Sequence, residues 1–230
     1  MERDIQGFSQ RPYDVLVIGG GINGAAVAHM AALNGLKVAL LEKGDFASGT
    51  SGRSTKLIHG GLRYLEGFDF SLVHESLKER AIIRKIAPEL VHLRPFHIPV
   101  YPQTSRRPVT LRVGLSLYAL LGGLRASARF RTLDRSEWDE LDGLETNNLQ
   151  AVFQYYDAQT NDSKLTHAVM QSAMDHGAIL NCPAEFMSAN LGEKTCEINY
   201  RNDGADKTCT CAAVINATGP WVNDVARRIT

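Results

Sequence analysis

Three features near the N-terminus predict an α/β fold with a parallel sheet. The β-branched run Asp14-Val15-Leu16-Val17-Ile18 ends in glycine. Gly19, Gly21 and Gly24 follow at once and open a run of small residues, Ala25 to Asn34, with helical character. Leu36 to Leu41 is a second, mostly apolar run, and it stops at Glu42. Strand, glycine turn, helix, strand and acid in this order form one βαβ unit, the context that gives a GxGxxG string its meaning.

Each part has a physical reason. A short run rich in Val, Leu and Ile suits a parallel strand buried on both faces. Gly19 allows a tight turn, Gly21 lets backbone approach a pyrophosphate, and Gly24 lets the helix pack close to the strand. The first turn of the helix offers free N–H groups and partial positive charge to phosphates. Gly35 is a suitable helix stop. Glu42 stands 18 residues after Gly24, near the ~20 expected of an acid that accepts hydrogen bonds from ribose hydroxyls. Together these parts predict a dinucleotide ligand.

The 230 residues carry 25 Lys+Arg and 25 Asp+Glu, and 44 % are hydrophobic. That length suits one large domain or two small ones with a sizeable core. The hydrophobic share argues against disorder. The charge balance argues against a globally basic nucleic-acid binder. The opening Met1-Glu2-Arg3-Asp4 lacks the apolar run of a signal peptide and the acid-poor look of a transit peptide. Cys182, Cys196, Cys209 and Cys211 form no CxxC pair and read as reduced intracellular thiols. Cys209-x-Cys211 reads as strand residues on alternate faces rather than half a metal site, so no metal is expected. The most apolar stretch, Val113 to Leu124, is shorter than the ~20 residues a spanning helix needs. A buried helix and an interfacial one both fit it.

From Lys43 to Thr55 the chain is polar and glycine-rich, with Thr50, Ser51, Ser54 and Thr55 among its hydroxyls. Lys56-Leu57-Ile58-His59-Gly60-Gly61-Leu62-Arg63-Tyr64-Leu65 follows. Gly60-Gly61 permits backbone to approach a flat ligand. His59, Arg63 and Tyr64 bring a base, a fixed cation and a phenol to one short segment. A solvated loop is the other reading of it.

Phe70 to Ile86 is predicted helical. Leu72, Val73, Leu77, Ile82, Ile83 and Ile86 are its apolar residues, with Arg80 among the charged residues elsewhere. Ala87-Pro88 ends it. Leu90 to Pro102 is punctuated by proline and extended. Between Leu90 and Leu133 there is no acid, and Arg94, Arg106, Arg107, Arg112, Arg125, Arg129 and Arg131 all fall there. Such asymmetry suits a phosphate, lipid headgroups or an acidic surface, or else solvated arginine around a core helix. If the stretch meets lipid, Leu111, Leu115, Tyr118, Leu121 and Leu124 are the expected interfacial residues.

Phe153 to Asp157 is predicted as a strand, and Ser163 to His176 as a helix capped by Asn161 or Asp162. Ala178-Ile179-Leu180 starts another strand. Glu197 to Cys211 reads as a hairpin about Asn202-Asp203-Gly204. Ala213 to Gly219 reads as a separate buried strand ahead of Pro220-Trp221. The chain shows no internal repeat.

These segments together resemble the FAD-dependent glycerol-3-phosphate dehydrogenases. The likeness rests on Tyr13 to Gly24, Leu40 to Glu42, Ser54 to Glu66 with its KLIHGGLRYLE run, and Val214 to Val222 with its NATGPW run. The last two are the more specific. The resemblance implies a Rossmann-like FAD-binding domain interleaved with a partial substrate or cap domain. Residues 1–87 and 158–230 would form the former and 88–157 the latter.

The resemblance also implies site residues. Gly19, Gly21, Ile22, Asn23 and Gly24 would hold the FAD pyrophosphate, and Glu42, followed by Lys43, the adenosine ribose. Thr50, Ser51, Ser54, Thr55, Lys56, Leu57, His59 and Gly60 would lie along the flavin. Ala217, Thr218 and Gly219, with Trp221, would close over the dinucleotide, and backbone around Glu185 and Phe186 would touch adenine. The catalytic group would comprise His59, Arg63 and Tyr64. A guanidinium such as Arg63 can pair with a phosphate in bidentate fashion, and His59 or Tyr64 can orient a C2 hydroxyl.

The implied activity is oxidation of sn-glycerol 3-phosphate to dihydroxyacetone phosphate, with hydride passing to flavin and electrons to quinone or another acceptor. A cytoplasmic location is expected, with peripheral contact to the inner face of the cell membrane and no nucleic-acid partner. Family members are considerably longer. Past the NATGPW run they carry further cap strands, phosphate-binding cations and a last flavin-contacting segment. The chain therefore looks like their N-terminal part and is expected to be inactive alone. The alternatives are an FAD-binding fragment without activity, and a related flavin enzyme for another 2-hydroxy substrate.

Overall fold

A computed structural model describes residues 8–230. In chain order these form β1 (Pro12–Ile18), α1 (Ile22–Leu33), β2 (Val38–Leu41), β3 (Leu57–Ile58), α2 (Phe70–Ile86), β4 (Val91–Val100), α3 (Pro108–Leu121), β5 (Arg131–Thr132), β6 (Ala151–Thr160), α4 (Asp162–Asp175), β7 (Ile179–Asn181), β8 (Glu185–Leu191), β9 (Cys196–Asn202), β10 (Ala205–Asn216) and α5 (Val222–Ala226). Two compact units result. One is Met1–Thr55 with Asp162–Thr230, the other Lys56–Asn161.

The first unit is built on a six-stranded sheet in the order β7-β2-β1-β10-β9-β8. β1 runs parallel to β2 and to β10, and β2 parallel to β7. Side chains alternate between the faces, as a period of two requires. Val17, Leu40 and Leu180 pack with Ala25, Ala28 and Ala32 of α1 and Met170 and Ala173 of α4. Leu16, Ile18, Ala39 and Leu41 face the opposite way, in a cluster with Phe186, Ile198 and Tyr200. Both faces are buried, which is why the strands read as continuous apolar runs.

Two expectations for this unit are corrected. The second hairpin strand and the strand before Gly219 are one strand, β10. Its Ala205–Cys211 part pairs antiparallel with β9, and Thr210–Asn216 pairs parallel with β1. The turn at Asp203 and Gly204, both at positive φ, joins β9 to β10. The cysteines differ too. Residues two apart on a strand share a face, so Cys209 and Cys211 point into one core cluster with Cys196, and all four thiols are buried and none forms a disulfide.

The second unit has the antiparallel sheet β3-β6-β4, with β5 also on β6. β4 is an edge strand, which is where Pro95 and Pro99 can sit without removing an inner ladder bond. Helix α2 packs Val73 and Leu77 on Tyr118 of α3. That packing draws residues 56–87 into this unit, so the chain divides after Thr55 rather than after 87. β6 runs on to Thr160, so the return falls at Asp162 rather than at 158.

Helix α3 starts with Pro108 in its first turn, where the missing N–H costs nothing. Leu115 and Tyr118 are buried, and Leu111 and Leu121 pack behind them. Four of the five residues expected at a lipid interface therefore face inward. The outward apolar side chains are Val109, Val113, Leu120 and, just past the helix, Leu124, 54 to 73 % exposed. The Arg-rich stretch is partly engaged. Arg106 pairs with Glu66, Arg131 with Glu137 and Gln154, Arg112 reaches Thr132, and Arg129 donates to the Leu124 carbonyl. Among the described residues, no helix is long and apolar enough to cross a membrane.

Candidate functional site

In the first unit the glycine turn is held from three sides. Gly19 has φ +111°, and a Cβ there would stand 2.7 Å from the Ala217 carbonyl oxygen. A Cβ on Gly24 would overlap the Gly19 carbonyl, so the helix reaches the strand only because position 24 is glycine. Gly21 is the N-cap of α1 and offers no side-chain oxygen to the free N–H groups. Ser51 Oγ accepts one of them, the Ile22 N–H, at 2.9 Å. The N–H of Ala217 donates to the Ile18 carbonyl at 2.8 Å, which sets Ala217-Thr218 beside the turn.

Glu42 lies at the C-terminal end of β2. Its Oε2 accepts the Gly20 N–H at 2.6 Å and its Oε1 the Gly44 N–H at 2.8 Å. A Cβ on Gly20 would stand 2.7 Å from Phe46 Cδ1 and 2.8 Å from Glu42 Cγ, so this glycine, which the motif reading passed over, is fixed by the ring and the acid together. The Ala184 N–H donates to the Glu42 carbonyl at 2.7 Å. That brings the start of β8 beside the acid. Glu185 is exposed there, while the Phe186 side chain is in the core, leaving only its backbone for a ligand. Lys43 Nζ lies 5.1 Å from the Trp221 ring, and Gly49 abuts the same ring. Thr218 Oγ1 donates to Asn216 Oδ1 at 2.6 Å. Ser54 is turned to the start of α4, where its N–H and hydroxyl both donate to Asp162 Oδ2.

In the second unit, His59, Arg63 and Tyr64 are exposed and make no side-chain hydrogen bond among the described residues. Arg63 sits close enough to Glu66 to help hold that carboxyl below its usual range, behind the larger effect of the Arg106 hydrogen bond. The two glycines between them are explained from inside. A Cβ on Gly60 would overlap the Tyr118 hydroxyl, and one on Gly61, at φ +72°, would overlap the Tyr64 ring. The Gly60 N–H is already donated to Asp157 Oδ1 and Tyr118 Oη. The space on the inner side is therefore reason enough for both residues to be glycine. Leu57 is a β3 residue opposite Gln159, and the Lys56 carbonyl accepts the Thr160 N–H.

The group missed by sequence reasoning is Arg80, Tyr118 and Asp157, all buried. A signal existed. Val73, Leu77 and Arg80 fall on one helical stripe, and Phe153, Tyr155 and Asp157 on one strand face.

The first unit is thus a dinucleotide-binding α/β domain. Its residues fit an FAD pyrophosphate: the glycine turn leaves no side chain in the way, and the helix start carries N–H donors without a capping oxygen from the cap residue. The chain belongs to the FAD dependent oxidoreductase family, whose model matches residues 14–230. FAD is that family's cofactor. A curated relative from Synechocystis sp., called glycerol-3-phosphate dehydrogenase, is 39 % identical over 97 % of this chain and 42 % of its own length. One from Brucella abortus, called D-erythritol 1-phosphate dehydrogenase, is 41 % identical over 94 % of this chain and 43 % of its own. The solved structure of the glycerol-3-phosphate dehydrogenase from Bacillus halodurans complexed with FAD is 28 % identical, with a TM-score of 0.72 over 97 % of this chain and 38 % of that one. The chain spans about two fifths of the length of these relatives.

Proposed function

We propose that this FAD-dependent oxidoreductase chain serves the oxidation of sn-glycerol 3-phosphate at C2 to dihydroxyacetone phosphate, with electrons passed on to quinone. When bound, FAD supplies the two-electron acceptor. Gly19 to Gly24 and the start of α1 hold its pyrophosphate, and Glu42 its ribose. Arg63 binds the substrate phosphate through two parallel N–H bonds. His59 and Tyr64 orient the C2 hydroxyl. The observation that supports this most is the exposed trio His59, Arg63 and Tyr64 on a segment whose backbone is fixed from below. A second reading, a dehydrogenase for a longer polyol phosphate, is favoured by the Brucella abortus relative. The outward face of α3 is proposed to rest on the inner face of the cell membrane.

A chimera tests the assignment. This chain is joined to the remaining C-terminal part of the Synechocystis relative, and dye reduction is followed with each substrate. Reduction with sn-glycerol 3-phosphate, and a KM roughly tenfold higher in Arg63→Lys, supports it, since an ammonium cannot reproduce the bidentate pair. A higher kcat/KM with D-erythritol 1-phosphate would move the assignment to the second reading.

A further inference from the structure

We propose that Arg80, Asp157 and Tyr118 are positioning residues: a buried polar anchor that fixes the Gly60 backbone and thereby aims His59, Arg63 and Tyr64. The proposal rests on the site reading given above. Arg80 is 2 % exposed, Asp157 3 % and Tyr118 0 %. The Arg80 guanidinium pairs with Asp157 Oδ1 and donates to the Tyr156 carbonyl at 2.9 Å, the Ser127 carbonyl at 2.8 Å and Tyr118 Oη at 3.2 Å. Asp157 Oδ1 also accepts the Tyr118 hydroxyl and the Gly60 N–H, each at 3.1 Å. One carboxylate oxygen thus joins α2, α3 and β6 to a single loop amide.

Stability alone does not account for this arrangement. Taking an ion pair out of water costs several kcal/mol per ion, and apolar side chains of like volume often serve a core as well or better. What apolar side chains cannot do is hold an amide at a fixed place and direction. Gly60 carries no side chain because Tyr118 fills the space where one would go. One residue before it stands His59; three and four residues after it stand Arg63 and Tyr64. Burial, with the Asp157 charge beside it, keeps the Tyr118 hydroxyl protonated far above its ordinary range, so it remains a donor.

The test uses the chimera described above, titrated with FAD and separately with ADP, with amide exchange followed at Gly60. The Arg80→Met/Asp157→Leu pair replaces the ions with apolar side chains and avoids an orphaned charge. Tyr118→Phe keeps the volume and removes the hydroxyl, and it decides the matter if the pair does not fold. Arg80→Lys is the conservative variant. We expect Gly60 exchange and FAD dissociation each to rise roughly tenfold, as a loosened site does. ADP affinity should stay within about twofold, because the residues assigned to ADP lie in the other unit. Arg80→Lys should recover part of the loss. Equal loss of FAD and ADP affinity, or faster exchange with FAD affinity unchanged, would show a purely structural role and overturn the proposal. Unchanged Gly60 exchange would sink the anchor itself. An unsubstituted chimera that takes up ADP but no FAD would remove the site reading, and the positioning role with it.

Discussion

Glu42 binds the Gly20 N–H at 2.6 Å across 22 residues of chain. With its other oxygen on Gly44, the acid ties the glycine turn after β1 to the loop after β2. A carboxylate has about four acceptor sites, so the same side chain can brace the turn and receive ribose hydroxyls. Glu42→Ala should therefore act twice. FAD binding should weaken by ~1–3 kcal/mol, the scale of charge-assisted bonds, and the apo chain should lose a comparable amount of stability. Glu42→Gln keeps one acceptor oxygen and should fall between. FAD titration beside urea unfolding measures both effects. A fold of unchanged stability in Glu42→Ala would mean that the bonds to Gly20 and Gly44 count for little.

Glycines 24 and 35 should respond differently to alanine. At 24 the new Cβ meets the Gly19 carbonyl, which is backbone and cannot swing away. Overpacking of this kind costs ~1–3 kcal/mol, and here it would also push the turn off its geometry. At 35 the φ is +78° and nothing lies within 4 Å, so only left-handed strain of ~1–2 kcal/mol remains. Both lower the denaturation midpoint, but only Gly24→Ala should also weaken dinucleotide binding. Loss of binding in Gly35→Ala would contradict this division.

The parallel βαβ half was legible in the sequence because every level agreed there: periodicity, glycine positions, helix stop and terminal acid. The hairpin-plus-strand reading failed at β10 because one continuous strand changes partner along its length, from β9 to β1. Long-range pairing of that kind leaves no local mark. The His59 segment could be read as a base, a cation and a phenol on one stretch, but what supports its backbone could not be read. Arg80 looked like one more solvated cation on an amphipathic helix. Only the fold brings it to Asp157, 77 residues away. The glycines of that segment also have neighbours the sequence did not show: Tyr118 for Gly60 and Tyr64 for Gly61.

Buried acids of the weak kind set the alkaline limit of the fold. Burial, and then the Cys211 charge, pushes the Cys209 thiol up to about 12. Burial, and then Cys196, does the same for Cys211. Burial, with Asp157 behind it, holds the Tyr155 hydroxyl at about 12. A group whose folded pKa is raised binds its proton more tightly in the folded state. Its contribution is full below the unfolded pKa and is lost as pH climbs through the folded one. Stability should hold to about pH 9 and fall steadily toward pH 12. Urea midpoints across that range check the slope. At pH 8 a thiol reagent should leave Cys209 and Cys211 unmodified until denaturant is added, since the thiolate is the reactive form. Fast labelling of either in the folded chain would mean that the β9–β10 core opens readily.

The outward face of α3 gives the last prediction. Val109, Val113, Leu120 and Leu124 form an apolar stripe in a stretch with seven arginines and no acid. Arg107 and Arg125 bracket it and make no side-chain hydrogen bond or ion pair among the described residues, whereas Arg106 and Arg112 are engaged with Glu66 and Thr132. Anionic lipid matches both properties: acyl chains for the stripe, headgroups for the cations. Each basic residue near such a surface contributes ~1 kcal/mol, and salt screens it. The chain should float with anionic vesicles at low salt, less at high salt, and little with neutral ones. Arg107→Ser/Arg125→Ser should lower flotation and flatten its salt dependence. Val113→Ser/Leu120→Ser should lower flotation at every salt concentration, because apolar insertion is not screened. Arg106→Ser should change little, since that side chain already holds Glu66. Equal flotation of all four forms would mean that these arginines are solvated charges around an ordinary surface helix.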